Sequence, residues 1–320
     1  MELEYVNCDI CECNNYSLLF KARDYRFGRK EEYSVVKCNN CGLVYINPRP
    51  TAESMWKLYE SCYTPDDKPL ILPQIETRRI KKILKKIWHR INGQYHDGII
   101  AKAGGRILDV GCSVGSLLLP LKQKGNEVYG IELNSKSVKA CNKIGLNVFC
   151  GILEKANFPD EFFDTVIMSQ TIEHFPSPRN SLKEIRRILK PGGKLYIFCP
   201  NVGSYLSKFF GRYWHGWHIP FHFYGFTEDT IKNLVRKVGF KVENISATTP
   251  DNFFIVSLKS YLWNRCDNEA RPIERGKFFD SLFFRACISP FFRLLDFVSV
   301  GRGDCLRVEV SKTAILDNEI

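Results

Sequence analysis

The stretch RILDVGCSVGSLL, residues 106–118, decides how the chain is read. Its first half is a short apolar run with an acid, Asp109, near its end; Gly111 and Gly115 follow before a second apolar run. That order predicts a strand, a tight glycine turn and a helix. A turn from a parallel strand into a helix presents free backbone N–H groups, and glycine lets a ligand come close to the main chain. The stretch is therefore expected to hold a cofactor. Gly111 to Gly115 does not supply the G-x-G-x-x-G that seats a pyrophosphate. Asp109 at the strand tip would repel phosphate but suits a ligand carrying an ammonium group.

Downstream, residues 128–132 read as a second strand ending in Glu132, with Asn134 or Ser135 capping the helix after it. A carboxylate at that tip can accept both hydroxyls of a ribose. Residues 146–150 and 163–168 are expected as strands three and four, 181–190 as a helix closed by Pro191-Gly192-Gly193, and 195–199 as strand five. A helix over 227–238 and a strand over 241–248 continue the alternation. The expectation is an α/β fold with a doubly wound, mostly parallel sheet that binds ligands beyond the carboxyl ends of its strands.

Upstream, Cys8 and Cys11, then Cys38 and Cys41, form two C-x2-C knuckles separated by 26 residues. Four thiolates on two tight turns can close a tetrahedral zinc site, with Gly42 relieving the crowding and Cys13 as an alternative ligand in the first pair. Such a site is structural and leaves no open position for water. Residues 33–36 and 43–46 fit a strand pair, Pro48 and Pro50 end the lobe, and a helix follows through Met55, Trp56, Leu58 and Tyr59. Pro65, Pro69 and Pro73 predict a linker or lid. Residues 78–91 place isoleucines, Leu84 and Trp88 on one helical face and lysines and arginines on the other. That helix either packs on the catalytic domain with a solvated basic side or meets an anionic membrane or nucleic acid. The expected division is a ribbon lobe at 1–50, a helical linker at 51–105 and a catalytic domain at 106–320.

Asp109-Val110-Gly111, Gly130-Ile131-Glu132, Phe158-Pro159-Asp160, Ile172-Glu173-His174 and Leu189-Lys190-Pro191-Gly192-Gly193 stand in the order and spacing of class I S-adenosylmethionine (SAM) methyltransferases. The first resembles their motif I, acid-x-Gly-x-Gly-x-Gly, with Ser113 replacing the middle glycine. With the cysteine knuckles running into GLVYINPRP at 42–50, the chain is similar to a zinc-ribbon subgroup. That subgroup includes sugar C-methyltransferases and enzymes of polysaccharide and natural-product clusters. The resemblance covers nearly all of residues 8–245. It implies a seven-stranded Rossmann-like sheet whose last strand, near 304–310, is antiparallel. It also implies SAM as cofactor, with Asp109, Gly111 and Gly115 on the methionine part and Glu132 on the ribose. The family often carries an acid near the adenine amino group, where this chain has Gly151-Ile152-Leu153. Adenine is then expected on backbone N–H groups and against Ile152 and Leu153, with Gln170 facing the methionyl end. Glu173 and His174 read as support for the loop after strand four, with an acid/base role as the lesser alternative.

Residues 213–224, YWHGWHIPFHFY, concentrate histidine and aromatic residues in the loop after strand five, where this fold places its acceptor-binding insertion. They line the acceptor or form an aromatic lid. If the acceptor must lose a proton, His222 and then His218 are the expected bases. His215, His218 and His222 are not expected to hold a metal, because no carboxylate accompanies them in sequence. Between 251 and 300 lies an aromatic-rich insertion with Lys277, Arg285 and Arg293 interspersed, expected as amphipathic helices. They cap the sheet, join two copies or meet a membrane surface.

The net charge of +11 suits acidic partners without choosing among RNA, nucleotide-linked substrates and an anionic membrane. Of the 13 cysteines only four have paired close spacing, and Cys112, Cys150 and Cys199 sit in apolar runs, so reduced core thiols plus one metal site are expected. The acidic opening Met1 to Glu4 is not a secretory pattern, and no apolar run approaches the roughly 20 residues of a spanning helix. The expected location is cytoplasmic, with the inner face of a membrane open. Methyl transfer to a small or sugar-like acceptor, nucleotide- or lipid-linked ones included, is the expected function. RNA methylation through the ribbon and basic helix, and SAM binding without turnover, are the alternatives.

Overall fold

The computed structural model describes residues 1–63, 87–88, 102–265 and 278–313. The amino-terminal strands are β1 (Leu3–Glu4), β2 (Tyr16–Asp24), β3 (Arg29–Cys38), β4 (Val44–Ile46) and β5 (Arg49–Pro50). β6 (Arg106–Val110), β7 (Glu127–Glu132), β8 (Asn147–Cys150), β9 (Phe163–Ser169) and β10 (Leu189–Pro200) follow, then β11 (Tyr224–Gly225), β12 (Phe240–Thr248) and β13 (Cys305–Lys312).

Seven strands form one sheet in the order β12-β13-β10-β9-β6-β7-β8. β13 runs antiparallel to both its neighbours, while the pairs β10-β9, β9-β6, β6-β7 and β7-β8 are parallel. This is the doubly wound α/β sheet that the alternation of strand and helix predicts. Ile107, Leu108, Val166 and Ile167 are wholly buried, as expected of parallel strands covered on both faces. From β6 the chain proceeds outward through β7 to β8, then returns to β9 on the other side of β6. The strand order therefore reverses between β6 and β9, and a crevice opens beyond their carboxyl ends.

Boundaries shift where local chemistry overrides periodicity. The helix expected over 181–190 is Pro178–Ile188, started by Ser177, whose side chain accepts the Asn180 amide. Leu189 and Lys190 already belong to β10, because the residue before Pro191 is pushed toward extended backbone. Cys112 and Cys199 are buried as expected, but Cys150 is exposed because β8 is the sheet's edge. Of the expected linker at 51–105, residues 51–63, which include the helix Ala52–Tyr63, and 102–105 are described; the prolines at 65, 69 and 73 and the basic helix fall outside the described residues except for 87 and 88.

The amino-terminal lobe is not a separate knob. Its strands order as β11-β4-β3-β2, and β11 comes from the histidine-rich loop of the catalytic region. Val36 and Tyr45 share one apolar core with Val110 and Ile131. Arg49, buried at the lobe's end, donates to Pro176 O at 2.8 Å and to the Tyr224 hydroxyl at 2.9 Å. Asp9 accepts from Ser177 Oγ and the Arg179 amide, both at 2.7 Å. The lobe is thereby fixed against the start of a catalytic-region helix.

Candidate active site

The glycine turn and the tip of β7 form one unit. The amides of Gly111 and Cys112 both donate to Ile131 O, at 2.8 and 3.0 Å. Glu132 accepts the Ser113 amide on one carboxylate oxygen at 2.8 Å and the Asn134 amide on the other at 2.9 Å. Asn134 then caps the next helix through Lys136 N and Ser137 N. Gly111 and Gly115 adopt φ of +80° and +77°, which glycine alone takes without strain. A Cβ on Gly111 would lie 2.7 Å from Thr171 Oγ1, and one on Gly115 would run into Leu146 Cδ1. Close packing within the fold thus demands these glycines, whatever approaches the loop from outside. Ser113, at the family's middle glycine, itself takes φ of +49°.

Asp109 is buried on the neighbouring tip, and burial, aided by the charge of Glu132, pushes its carboxyl up to about 7. Burial also raises Glu132, against the amides that hold it. Two desolvated acids side by side, neither charge-paired among the described residues, suit a ligand with a cationic and a hydroxyl-rich part. The donor set fits SAM on those grounds. Ile152 is 44% exposed, whereas Leu153 is buried in the core with Val110 and Ile131. Of that pair only Ile152 presents a side chain outward. Gln170 is exposed at the end of β9 with φ of +55°, and its Nε2 donates to Cys305 Sγ at 3.3 Å.

The histidines meet a carboxylate after all. Glu173 is wholly buried, and neither of its oxygens has a hydrogen-bond partner. His222 Nε2 lies 3.9 Å from Glu173 Oε1. No carboxylate accompanies the histidines in sequence, but Glu173 arrives beside His222 from the loop after β9. Its backbone O accepts the Phe223 amide at 2.8 Å, which docks the two loops together. Glu173, His174 and His222 place their ligating atoms within 4.8 Å of one another. Nδ1–H of His222 donates to Gly216 O at 2.8 Å and that of His174 to Phe221 O at 2.9 Å, leaving both Nε2 lone pairs available. Burial raises Glu173 to about 8 and lowers His174 to about 4; it carries His218 and His222 well below the usual imidazole range. Near neutral pH the cluster therefore holds an unprotonated imidazole beside a protonated acid.

A part that sequence reasoning missed is the hairpin between β2 and β3. Arg26 Nη1 lies 3.4 Å from His218 Nε2, and Phe27 packs against Phe221 with ring centroids 5.8 Å apart. Phe20 meets Trp217 at 5.0 Å and Tyr25 meets Tyr213 at 5.0 Å. Between hairpin and loop is a small cavity of about 30 Å³, room for about one water, whose lining includes Arg23, Asp24, Arg26, Arg212, Tyr213 and His218. The available signal was RDYRFGRK at 23–30, an alternation of arginine and aromatic residues around Gly28.

The four knuckle cysteines converge. Cys8 Sγ and Cys41 Sγ are 3.3 Å apart, Cys11 Sγ and Cys38 Sγ 3.5 Å, and all four lie within 4.8 Å of one another. Thiolates on a tetrahedral zinc would stand about 3.8 Å apart, so donor type and spacing both fit. Cys13 instead accepts the Asn15 amide at 3.3 Å.

Residues 77–245, more than half of the chain, match a family described as a methyltransferase domain. A ubiquinone biosynthesis O-methyltransferase from Paracidovorax citrulli is 32% identical over 113 residues, 33% of this chain and 48% of that protein. One from Azoarcus is 30% identical over 183 residues, 50% of this chain and 76% of that protein. For the first, as for relatives of the same name from Xanthomonas oryzae, the chain spans about half the relative's length. A solved Thermotoga maritima protein, described as a SAM-dependent methyltransferase and possible histamine N-methyltransferase, is 20% identical. The match covers 81% of this chain and all of that one, with a TM-score of 0.48.

Proposed function

The chain belongs to the methyltransferase-domain family, and from that premise we propose that it transfers the methyl group of SAM to a small or sugar-like acceptor carrying negative charge. The observation that carries the reading is the pair of buried acids, Asp109 and Glu132, on adjacent strand tips beside a glycine turn. When bound, SAM supplies a methyl group already activated on a sulfonium. Glu132, held by two amides, has lone pairs for ribose hydroxyls; Asp109 offers charge to the cationic methionine part. Gln170, exposed just beyond β9 with its Nε2 on Cys305 Sγ, is the side chain we assign to the methionyl end.

The chain's own work is then to align the acceptor and keep water out. Arg26 and Arg212, exposed around the opening, support an acceptor whose anionic group, nucleotide-linked ones included, stays at the mouth, since the cavity itself has room for about one water and Arg23 is paired with Glu32 at 3.8 Å. Relatives are named for O-methylation. A hydroxyl acceptor must lose its proton, and the unprotonated Nε2 of His222 takes it. The Nε2–H of the resulting imidazolium would stand 3.9 Å from Glu173 Oε1, which can accept it on an oxygen lone pair while the acid keeps its own proton. His218 is the weaker candidate because its Nε2 already faces Arg26.

The test is to incubate pure protein with methyl-labelled SAM and fractionated cell extract. Label is expected in an acidic small-molecule or glycan fraction. Label confined to RNA would overturn the acceptor class. Calorimetric uptake of a nicotinamide dinucleotide, with none of S-adenosylhomocysteine, would overturn the reading altogether.

A further inference from the structure

The helix Leu282–Val298 is amphipathic in the reverse of the usual sense. Its charged residues turn toward the protein: Arg285 makes a bidentate pair with Asp251 at 2.7 and 2.9 Å, and Arg293 pairs with Asp296 at 3.0 Å. The opposite face carries Phe283, Phe291, Leu294, Phe297 and Val298, each between 57% and 79% exposed. That spacing is one helical face, and no charge interrupts it. A helix at a water boundary normally shows water the opposite distribution. The patch continues through Val300, 85% exposed, and Phe209, 77% exposed. These are brought near by the Tyr205 amide donating to Arg302 O at 3.2 Å.

The rim of the patch is basic. Lys208 and Arg302 are exposed beside Phe209 and Val300. A two-fold pair of copies joined through this face would set positive rim against positive rim. A bilayer with anionic headgroups is attracted by that rim and takes up the phenyl rings at its acyl boundary. Among the described residues no helix is long and apolar enough to cross a membrane. We propose that the helix Leu282–Val298 lies in the surface of an anionic lipid bilayer and seats the enzyme there. The proposal does not depend on the identity of the acceptor.

Flotation of the full chain with vesicles tests it. Vesicles of phosphatidylcholine mixed with phosphatidylglycerol should carry the protein up; vesicles of phosphatidylcholine alone should carry much less. Phe291→Asp and Phe297→Asp should each weaken vesicle binding roughly tenfold, the scale of withdrawing a buried phenyl ring. Lys208→Glu with Arg302→Glu should weaken it without touching the apolar stripe, and every variant should keep its affinity for S-adenosylhomocysteine. The proposal is overturned if the parent does not float with phosphatidylglycerol vesicles, or if the Phe variants float as well as the parent. It is equally overturned if sedimentation shows a dimer that the same Phe variants dissociate while no vesicle binding is seen. That last result would assign the face to a second copy.

Discussion

The cofactor side and the acceptor side of this site are built by different rules. The nest of Asp109, Gly111, Ser113 and Glu132 arises within 24 residues, from two neighbouring strand tips whose backbone amides do the positioning. The acceptor side joins the hairpin tip around Arg26, the loop at Glu173 and the loop at His222, segments far apart in sequence that tertiary packing alone brings together. A backbone-built nest should tolerate damage elsewhere in the fold. A site of docked side chains should not.

The sharpest way to break that contrast is His222→Asn. The amide keeps some hydrogen bonding but cannot take a proton, so kcat should fall about 10²–10⁴-fold if the acceptor is a hydroxyl. S-adenosylhomocysteine affinity by calorimetry should stay within about twofold, since among the described residues no hydrogen bond or ion pair joins His222 to the nest. If turnover is unchanged, the acceptor gives up no proton, or gives it to water. Glu173→Gln should lie between parent and His222→Asn, because Glu173 acts through the imidazole. It should also move the pH–rate profile.

Cys38→Ser examines the same contrast from a distance. Losing one thiolate should loosen the knuckles and with them β3, whose other end leads out of the hairpin bearing Arg26. Turnover should drop on the order of a hundredfold, the cost of misplaced positioning groups. Cofactor affinity should change far less. A parallel loss of both would mean that the shared core of lobe and sheet transmits the damage to β6.

This division explains what was legible in the chain. The parallel sheet, the cap at Asn134, the two carboxylates and the four thiolates were readable because each depends on spacing over a few residues. Arg26 was not, because nothing in RDYRFGRK says which surface the hairpin tip will meet. Nor was the acid beside the histidines, since Glu173 and His222 stand 49 residues apart and a paired backbone contact, Phe223 N to Glu173 O, decides their meeting. Leu153 was expected at the adenine together with Ile152, where the family often carries an acid, yet the turn after β8 leaves Ile152 exposed and buries Leu153.

Protons should separate the free and bound states. In the free protein burial holds the Asp109 and Asp304 carboxyls up to about 7 and Glu173 to about 8, above their unfolded values. Such acids bind more protons folded than unfolded, so their contribution to stability falls as pH rises toward 7–8. The buried histidines His174, His215, His218 and His222 act the other way, because each, held below its ordinary range in the fold, must charge on unfolding. Melting of the free protein should therefore move up between pH 8 and pH 7, before the histidines begin to oppose it. A cationic ligand wants ionised Asp109, so S-adenosylhomocysteine affinity should move the other way, losing up to about tenfold per unit below pH 7. Asp109→Asn should remove most of that slope. Cofactor affinity flat across this range would show that the ammonium group lies elsewhere.

The smallest effect tests whether the nest is a backbone device at all. Ser113 takes the left-handed conformation at φ of +49°, which costs a residue with a Cβ on the order of 1 kcal/mol. What the fold uses at this position is main chain: the amide that donates to Glu132 and the carbonyl that accepts from Cys141 Sγ at 3.3 Å. Ser113→Gly keeps both and relieves the strain, though a more flexible unfolded chain offsets part of the gain. Stability should rise by roughly 0.5 kcal/mol, less than about 1 °C in Tm, with S-adenosylhomocysteine affinity within twofold of the parent. A clear loss of affinity would instead place the Ser113 hydroxyl on the ligand, and the cofactor side would then share the side-chain dependence of the acceptor side.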